Sequence, residues 1–505
     1  MLRTLRESFK HTSIYTFGNL TSKAVGLLLI PVYTHYLKPR EYGIIDILDL
    51  TIILIGVVVS MGLGSSLFRY YLAAETEEGR HEVVGSALLF SMISAGVVAI
   101  PILLGSRGIS QLLFRTPGYA SYLQLAMLSF WIGMIAETCR NYIRARQQSA
   151  FFVATLLIQL VISVGLNIYF IVFRHLGVMG FLLSSLIVSV LASGALLVHT
   201  LAETGFRVSI PTTRRMLIYG APFIFSGLGS FVLNFADRYF LNAYANLTEV
   251  GIYALGYKFG FLISMLASAP FLQMWDAQVF VVQKEPNAKA VYARMFEYFA
   301  ALILFGVLIL SVFIKDVLRV MAAPEYFAAH HVVPIIALAY VFNGWGQYFR
   351  LGMLLTNRTR SIGVIMVGTG AVTLALYVIF IRAFHGMGAA VATLLSFALM
   401  MVWTYIVSQR LYPVPFNHRR TAGVLAIAAS CYALAWIADR MFGPFTALGY
   451  LIRILAVAAY PLALVLTGFF ASEGIRRLQD LPAGVRRFVR GDLVEPDTRS
   501  VGSSD

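Results

Sequence analysis

The chain has 505 residues, 59% of them hydrophobic and only 12% charged, with a mean hydropathy of +0.78. Soluble domains average about 25% charged residues, so a pair of soluble domains is excluded and a polytopic membrane protein is expected. The net charge of +15 would suit a nucleic-acid binder, but the placement of the basic residues gives it another meaning.

The opening stretch, "MLRTLRESFKHTSIYTFGNL", is basic but has no small-residue cleavage site, and reads as an interfacial helix leading into a retained first span. Apolar runs of about 20 residues, long enough to cross a bilayer, are predicted at 12–36, 43–71, 83–105, 119–143, 150–173, 177–201, 214–243, 250–282, 293–315, 329–353, 361–384, 386–409, 420–440 and 445–471. The fold expected is all-α, with about fourteen transmembrane helices. The connections are too short for a soluble domain. "NLT" at Asn246 matches a glycosylation sequon, but its loop is tiny. Cys139 and Cys431 lie in apolar segments, so neither a disulfide nor a metal site is expected. No cofactor motif is present.

Lysine and arginine separate by side. One set of connections, with the tail (Arg476 to Arg499), holds 25 of them and the alternate set holds 9. That asymmetry places both termini in the cytoplasm and makes the positive charge a matter of topology. The segment "SEGIRRLQDLPAGVRRFVRGDL" reads as a basic tail lying on the inner leaflet.

An offset of 208 residues recurs. Tyr36/Tyr244, Glu41/Glu249 and Gly43/Gly251 match in one region, and Arg174/Arg382 and Gly180/Gly388 match far downstream. This predicts two parallel six-helix halves, 1–208 and 209–416, followed by two extra helices in 417–471 and a cytoplasmic tail in 472–505. Carriers built from such repeats bind substrate between the halves.

Several charges then call for partners. Lys23 lies on a helical stripe with Thr12, Thr16, Asn19 and Gly26, which suits a polar interior; a structural ion pair is the other reading. The offset brings Asn234 and Arg238 to the equivalent face of the seventh span, where adjacent Asp237 could simply neutralise Arg238. Asp46 and Asp49 share a face of the second span and are candidates for ion coupling, since two carboxylates one turn apart disfavour double ionisation. Lys258 is expected at their depth, as substrate ligand or as a strut between halves. Arg69 and Asp276 fall at neighbouring offset positions and are expected either to form a gate or to be unrelated headgroup-level charges. Glu137 and Arg140 are expected to pair locally. Arg453 has no sequence-visible partner.

The segments "SKAVGLLLIPVYTHYLKPREYGIIDIL" and "YGAPFIFSGLGSFVLNFADRYFLNAYANLTEVGIYALGYKFG" resemble the polysaccharide transporter family of oligosaccharide-lipid flippases, in the superfamily of multidrug-and-toxin extrusion pumps and lipid II flippases. The resemblance implies export of a polyprenyl-pyrophosphate-linked glycan across the bacterial inner membrane, without enzymatic activity. It implies membrane lipids, a glycan polymerase and a chain-length regulator as partners of a monomeric carrier. It also implies a cationic cavity, with Lys23 where lipid II flippases carry an arginine; Arg238 and Lys258 are further candidates. A multidrug/cation antiporter shares the fold but favours an anionic cavity. A glycan polymerase or ligase needs acids or histidines on a large external loop, and the loop near 106–118 offers only Arg107 and Arg115.

Overall fold

A computed structural model describes residues 26 and 28–469. Every regular element among them is helical: α1 (Ile30–Tyr36), α2 (Pro39–Ser60), α3 (Leu63–Ala73), α4 (Glu77–Leu104), α5 (Ser106–Phe114), α6 (Ala120–Ala145), α7 (Ser149–Asn167), α8 (Gly177–Thr204), α9 (Ile210–Gly220), α10 (Pro222–Phe235), α11 (Asp237–Tyr244), α12 (Leu247–Ile263), α13 (Ala269–Val282), α14 (Ala288–Met321), α15 (Val332–Phe349), α16 (Leu351–Leu355), α17 (Arg360–Leu411), α18 (His418–Phe442) and α19 (Ala447–Leu466). Eleven spans are long and apolar enough to cross a membrane, twelve with the pair α9 and α10, which bends by 42°. The first predicted span falls mostly outside the described residues. The eleventh and twelfth share α17, which breaks at His385 (φ 48°, ψ −125°).

Local chemistry starts these helices. Thr76, Asn246, Asn417 and Thr446 each accept a backbone N–H of the first turn, satisfying one of the donors a helix start leaves open. Asn246, the sequon residue, is thus the cap of α12. Pro39, Pro211 and Pro222 sit in first turns, where a missing N–H costs nothing.

Two compact units can be distinguished. The larger comprises the chain to Tyr292 and Phe313–Pro415. Its core joins Ile44, Ile47 and Leu48 of α2 to Val250, Tyr253 and Tyr257 of α12. A β-carbon on Gly43 would lie 2.1 Å from the Leu247 carbonyl oxygen, and one on Gly251 would lie 1.9 Å from that of Pro39. The contact is reciprocal at the 208 offset, and small residues are what allow such close helix approach.

The offset recurs in the backbone. Gly177 (φ +54°) opens α8 and His385 (φ 48°) interrupts α17, 208 residues later. The second span kinks at Met61 and Gly62, both left-handed, and α13 begins at Ala269, at the same offset, after a π-helical turn over Ser264–Ser268. The first of these kinks packs on Gly220, where a β-carbon would lie 2.0 Å from the Met61 oxygen.

The smaller unit comprises Ala293–Val312 of α14 and the chain from Phe416. Arg453 of α19 is its centre and is completely buried. Its guanidinium donates to the Pro444 carbonyl and, at 3.5 Å, to that of Val312. Its Nε lies 3.4 Å from Asp439 Oδ1 of α18. The Tyr460 hydroxyl donates to the Ala301 carbonyl at 2.9 Å in the same unit.

Candidate functional site

In the larger unit, the step from α10 to α11 places Asn234, Asp237 and Arg238 on consecutive turns. Both charged residues are buried, Asp237 at 0% and Arg238 at 3% exposure. Asp237 opens α11, where a carboxylate suits the helix dipole, and its Oδ1 accepts the Arg238 backbone N–H at 3.0 Å and Nη1 at 2.7 Å. Nη1 also donates to the Asn234 carbonyl at 2.6 Å. The second Asp237 oxygen accepts the Tyr253 hydroxyl at 2.5 Å and that of Thr393 at 3.5 Å. The guanidinium lies over the Tyr257 ring, 3.7 Å from its centroid; such a desolvated cation–π contact is worth about 2 kcal/mol.

This cluster meets α2 loosely. Arg238 Nε is 3.8 Å from Asp46 Oδ2, too far for a hydrogen bond. Neither atom has a hydrogen-bond partner. Asp46 also feels Lys258, and Lys258 acts on Asp49. Lys258 and Asp49 are exposed. The Lys258 ammonium donates to the Tyr42 hydroxyl at 2.7 Å. The Tyr239 and Thr51 hydroxyls, 2.9 Å apart, add another polar bond between α11 and α2.

From Asn234 the network leads to a cavity. Its Oδ1 accepts the Tyr340 hydroxyl at 3.3 Å, and Tyr340 bonds Tyr257 at 2.6 Å. Asn234 and Tyr340 line a space of about 310 Å³ walled by α10, the end of α12, α15, α16 and α17. Ser230, Ser264, Asn343, Gln347, Arg350 and Thr404 supply further polar groups, against Phe261, Met353, Met366 and Met400.

The structure therefore brings together Asn234, Arg238, Asp46, Asp49 and Lys258. Arg238 faces its own carboxylate partner, so Lys258 is the accessible cation of the group. Lys23 and Asn19 lie outside the described residues. Arg69 and Asp276 are not brought together: the Arg69 guanidinium covers the Tyr219 ring at 4.4 Å, and Asp276 acts on Arg350. Glu137 and Arg140 do pair, at 3.1 Å. No cluster of metal-ligating side chains occurs among the described residues. Sequence reasoning missed Tyr253, Tyr340 and Thr393. The first stands four residues before Tyr257 on one helix face, a visible signal; the other two have none.

The fold has solved counterparts. A lipid II flippase, MurJ, in an inward closed conformation superposes with a TM-score of 0.74 at 13% identity, covering 91% of this chain and 99% of its own. An inward-facing multidrug resistance MATE family transporter of the MOP superfamily gives 0.63 at 15% identity, over 78% and 94% of the two chains. A MOP superfamily transporter from Pyrococcus furiosus, described as having a binding pocket of reverse polarity, gives 0.56 at 14% identity, over 81% and 97%. No curated protein sequence matches. The family described as "Polysaccharide biosynthesis protein" matches residues 8–274, more than half of the chain. This multi-pass membrane protein, built on the MOP superfamily fold, belongs to that family.

Proposed function

We propose that the protein is a flippase that moves a polyprenyl-pyrophosphate-linked oligosaccharide from the inner to the outer leaflet of the bacterial cytoplasmic membrane. It serves polysaccharide assembly (O-antigen, capsule or exopolysaccharide). It is a carrier and not an enzyme, works as a monomer with both termini in the cytoplasm, and hands its product to a glycan polymerase and a chain-length regulator.

The observation that carries this reading is the exposed ammonium of Lys258 beside a buried charge network that spans α2, α11 and α12. A pyrophosphate crossing a low-dielectric interior needs a cation to offset its desolvation. Lys258, joined by Lys23, supplies one while the prenyl chain stays in lipid. In this orientation the Gly43–Gly251 crossing seals the outer face. Opening that face requires α2 to separate from α11 and α12, and the Asp46–Arg238 contact is the weak bond that yields. Asp46 and Asp49 are the groups on which a proton or sodium gradient would act.

Deleting the gene should accumulate lipid-linked glycan on the inner leaflet. The native gene should clear it, and K258A, at equal membrane abundance, should not. Full clearance by K258A would remove Lys258 from the mechanism, and no accumulation in the deletion strain would contradict the flippase reading. A cation/drug antiporter is the second reading, favoured by the exposed carboxylate of Asp49. It predicts instead that deletion sensitises cells to cationic drugs.

A further inference from the structure

The cavity beside Asn234 contains a charge that the network does not use. Arg350 follows the last turn of α15 and is the one charged residue lining the cavity. Its Nη2 donates to Gln347 Oε1 at 3.2 Å, and Gln347 Nε2 donates in turn to Asn343 Oδ1 at 2.7 Å. These amides hold the guanidinium in place without neutralising it. Among the described residues no carboxylate lies within 4.0 Å of Arg350, whereas Arg140, Arg238 and Arg294 each have one. The acid that acts on Arg350 is Asp276, which is exposed. Capping the end of α15 would be an ordinary task for an arginine. The Nε bond to the Gln347 carbonyl, long at 3.4 Å, is all that serves it. Capping does not explain the amide-lined space alongside.

An intramembrane cation without a close counter-charge points to a ligand that brings one. The space, about 310 Å³, lies at the lower end of the roughly 300–1,000 Å³ usual for ligand sites, enough for a single ring. The amides of Asn234, Asn343 and Gln347, with the hydroxyls of Ser264 and Thr404, match vicinal sugar hydroxyls. A guanidinium fork matches a carboxylate or phosphate.

We propose that the cavity walled by α10, α12, α15, α16 and α17 is a binding site for one anionic pyranose, its acid group on Arg350 and its hydroxyls on the surrounding amides. The role of the site rests on the flippase reading, in which an acidic sugar of the transported glycan docks inside this bundle. The binding itself does not.

The test uses the full chain in nanodiscs of phosphatidylethanolamine and phosphatidylglycerol, titrated by saturation-transfer NMR with four probes. Methyl glucuronide and glucose 6-phosphate should bind at least about tenfold more tightly than methyl glucoside and inorganic phosphate. R350Q should erase that advantage without changing the weak binding of methyl glucoside. The site is overturned if neither anionic sugar binds, if methyl glucoside or inorganic phosphate binds as tightly, or if R350Q binds like the native chain. The probe comparison needs no variant, so it decides the question even if R350Q fails to fold. Equal binding of all four probes would leave the flippase reading standing. A deletion strain with no accumulated lipid-linked glycan would contradict that reading and leave the binding result intact.

Discussion

Two buried arginines show how burial alone fails to separate a staple from a working part. Arg453, in the smaller unit, is completely enclosed and spends its donors on backbone carbonyls of Pro444 and Val312, with Asp439 beside its Nε. Backbone carbonyls cannot be protonated or competed away by an anion, so this arginine holds one arrangement. Arg238, in the larger unit, is nearly as buried, but only part of its guanidinium is committed. Asp237, Asn234 and the Tyr257 ring hold one side, while Nε faces Asp46 of α2 across 3.8 Å with no hydrogen bond on either atom. One unfinished contact between helices that must part is what a bistable element needs.

The comparison can be broken most forcefully at Arg453. R453L leaves Asp439 buried beside an alkyl chain and should cost about 3–5 kcal/mol of unfolding free energy, read by denaturation in detergent. Export per folded molecule should not change. R453L with D439L should recover most of the loss, because an apolar pair of similar volume is often no worse than a buried ion pair. A specific export defect in the stable double variant would make Arg453 more than a staple.

At Arg238 the expected balance reverses. D46N should change stability by less than about 1 kcal/mol, since it removes an ion pair already too long for a hydrogen bond. It should still lower export several-fold and raise labelling of outward-facing cysteines, by shifting the balance between states. Loss of folded protein with no shift in labelling would make Asp46 structural.

The smallest effect concerns Arg69. R69L forfeits a cation–π contact to Tyr219 worth about 0.5–1 kcal/mol at an exposed site. If Arg69 and Asp276 meet in the opposite state, R69D and D276R should each impair export and the double swap should restore it. A double swap no better than the worse single leaves them as unrelated surface charges.

What could be read from the sequence follows from which forces act locally. Hydropathy placed the last two spans near 420–440 and 445–471, close to the observed His418–Phe442 and Ala447–Leu466, and separated the two arms of α17 at His385. It missed the kink at Met61–Gly62, which lies inside an unbroken apolar run and depends on packing against Gly220. At the site, the 208 offset pointed to Asn234 and Arg238 because they share a helix face with the stripe through Lys23. It could not assign Arg350, a residue that reads as an ordinary basic charge after a span until the amides beside it are seen. Arg453 was opaque for a related reason, because Asp439 and Pro444 reach it across the turn between α18 and α19, outside any helical spacing.

The central claim is tested most directly by reconstitution. Proteoliposomes carrying polyprenyl-pyrophosphate-linked glycan are treated from outside with a membrane-impermeant glycosidase, and the protected fraction is followed. The account predicts that about half stays protected in protein-free vesicles. With the native chain the protected pool should become accessible, and with K258A it should drain much more slowly. A protected pool that stays constant in the presence of correctly folded native protein, with and without a proton or sodium gradient, would contradict it.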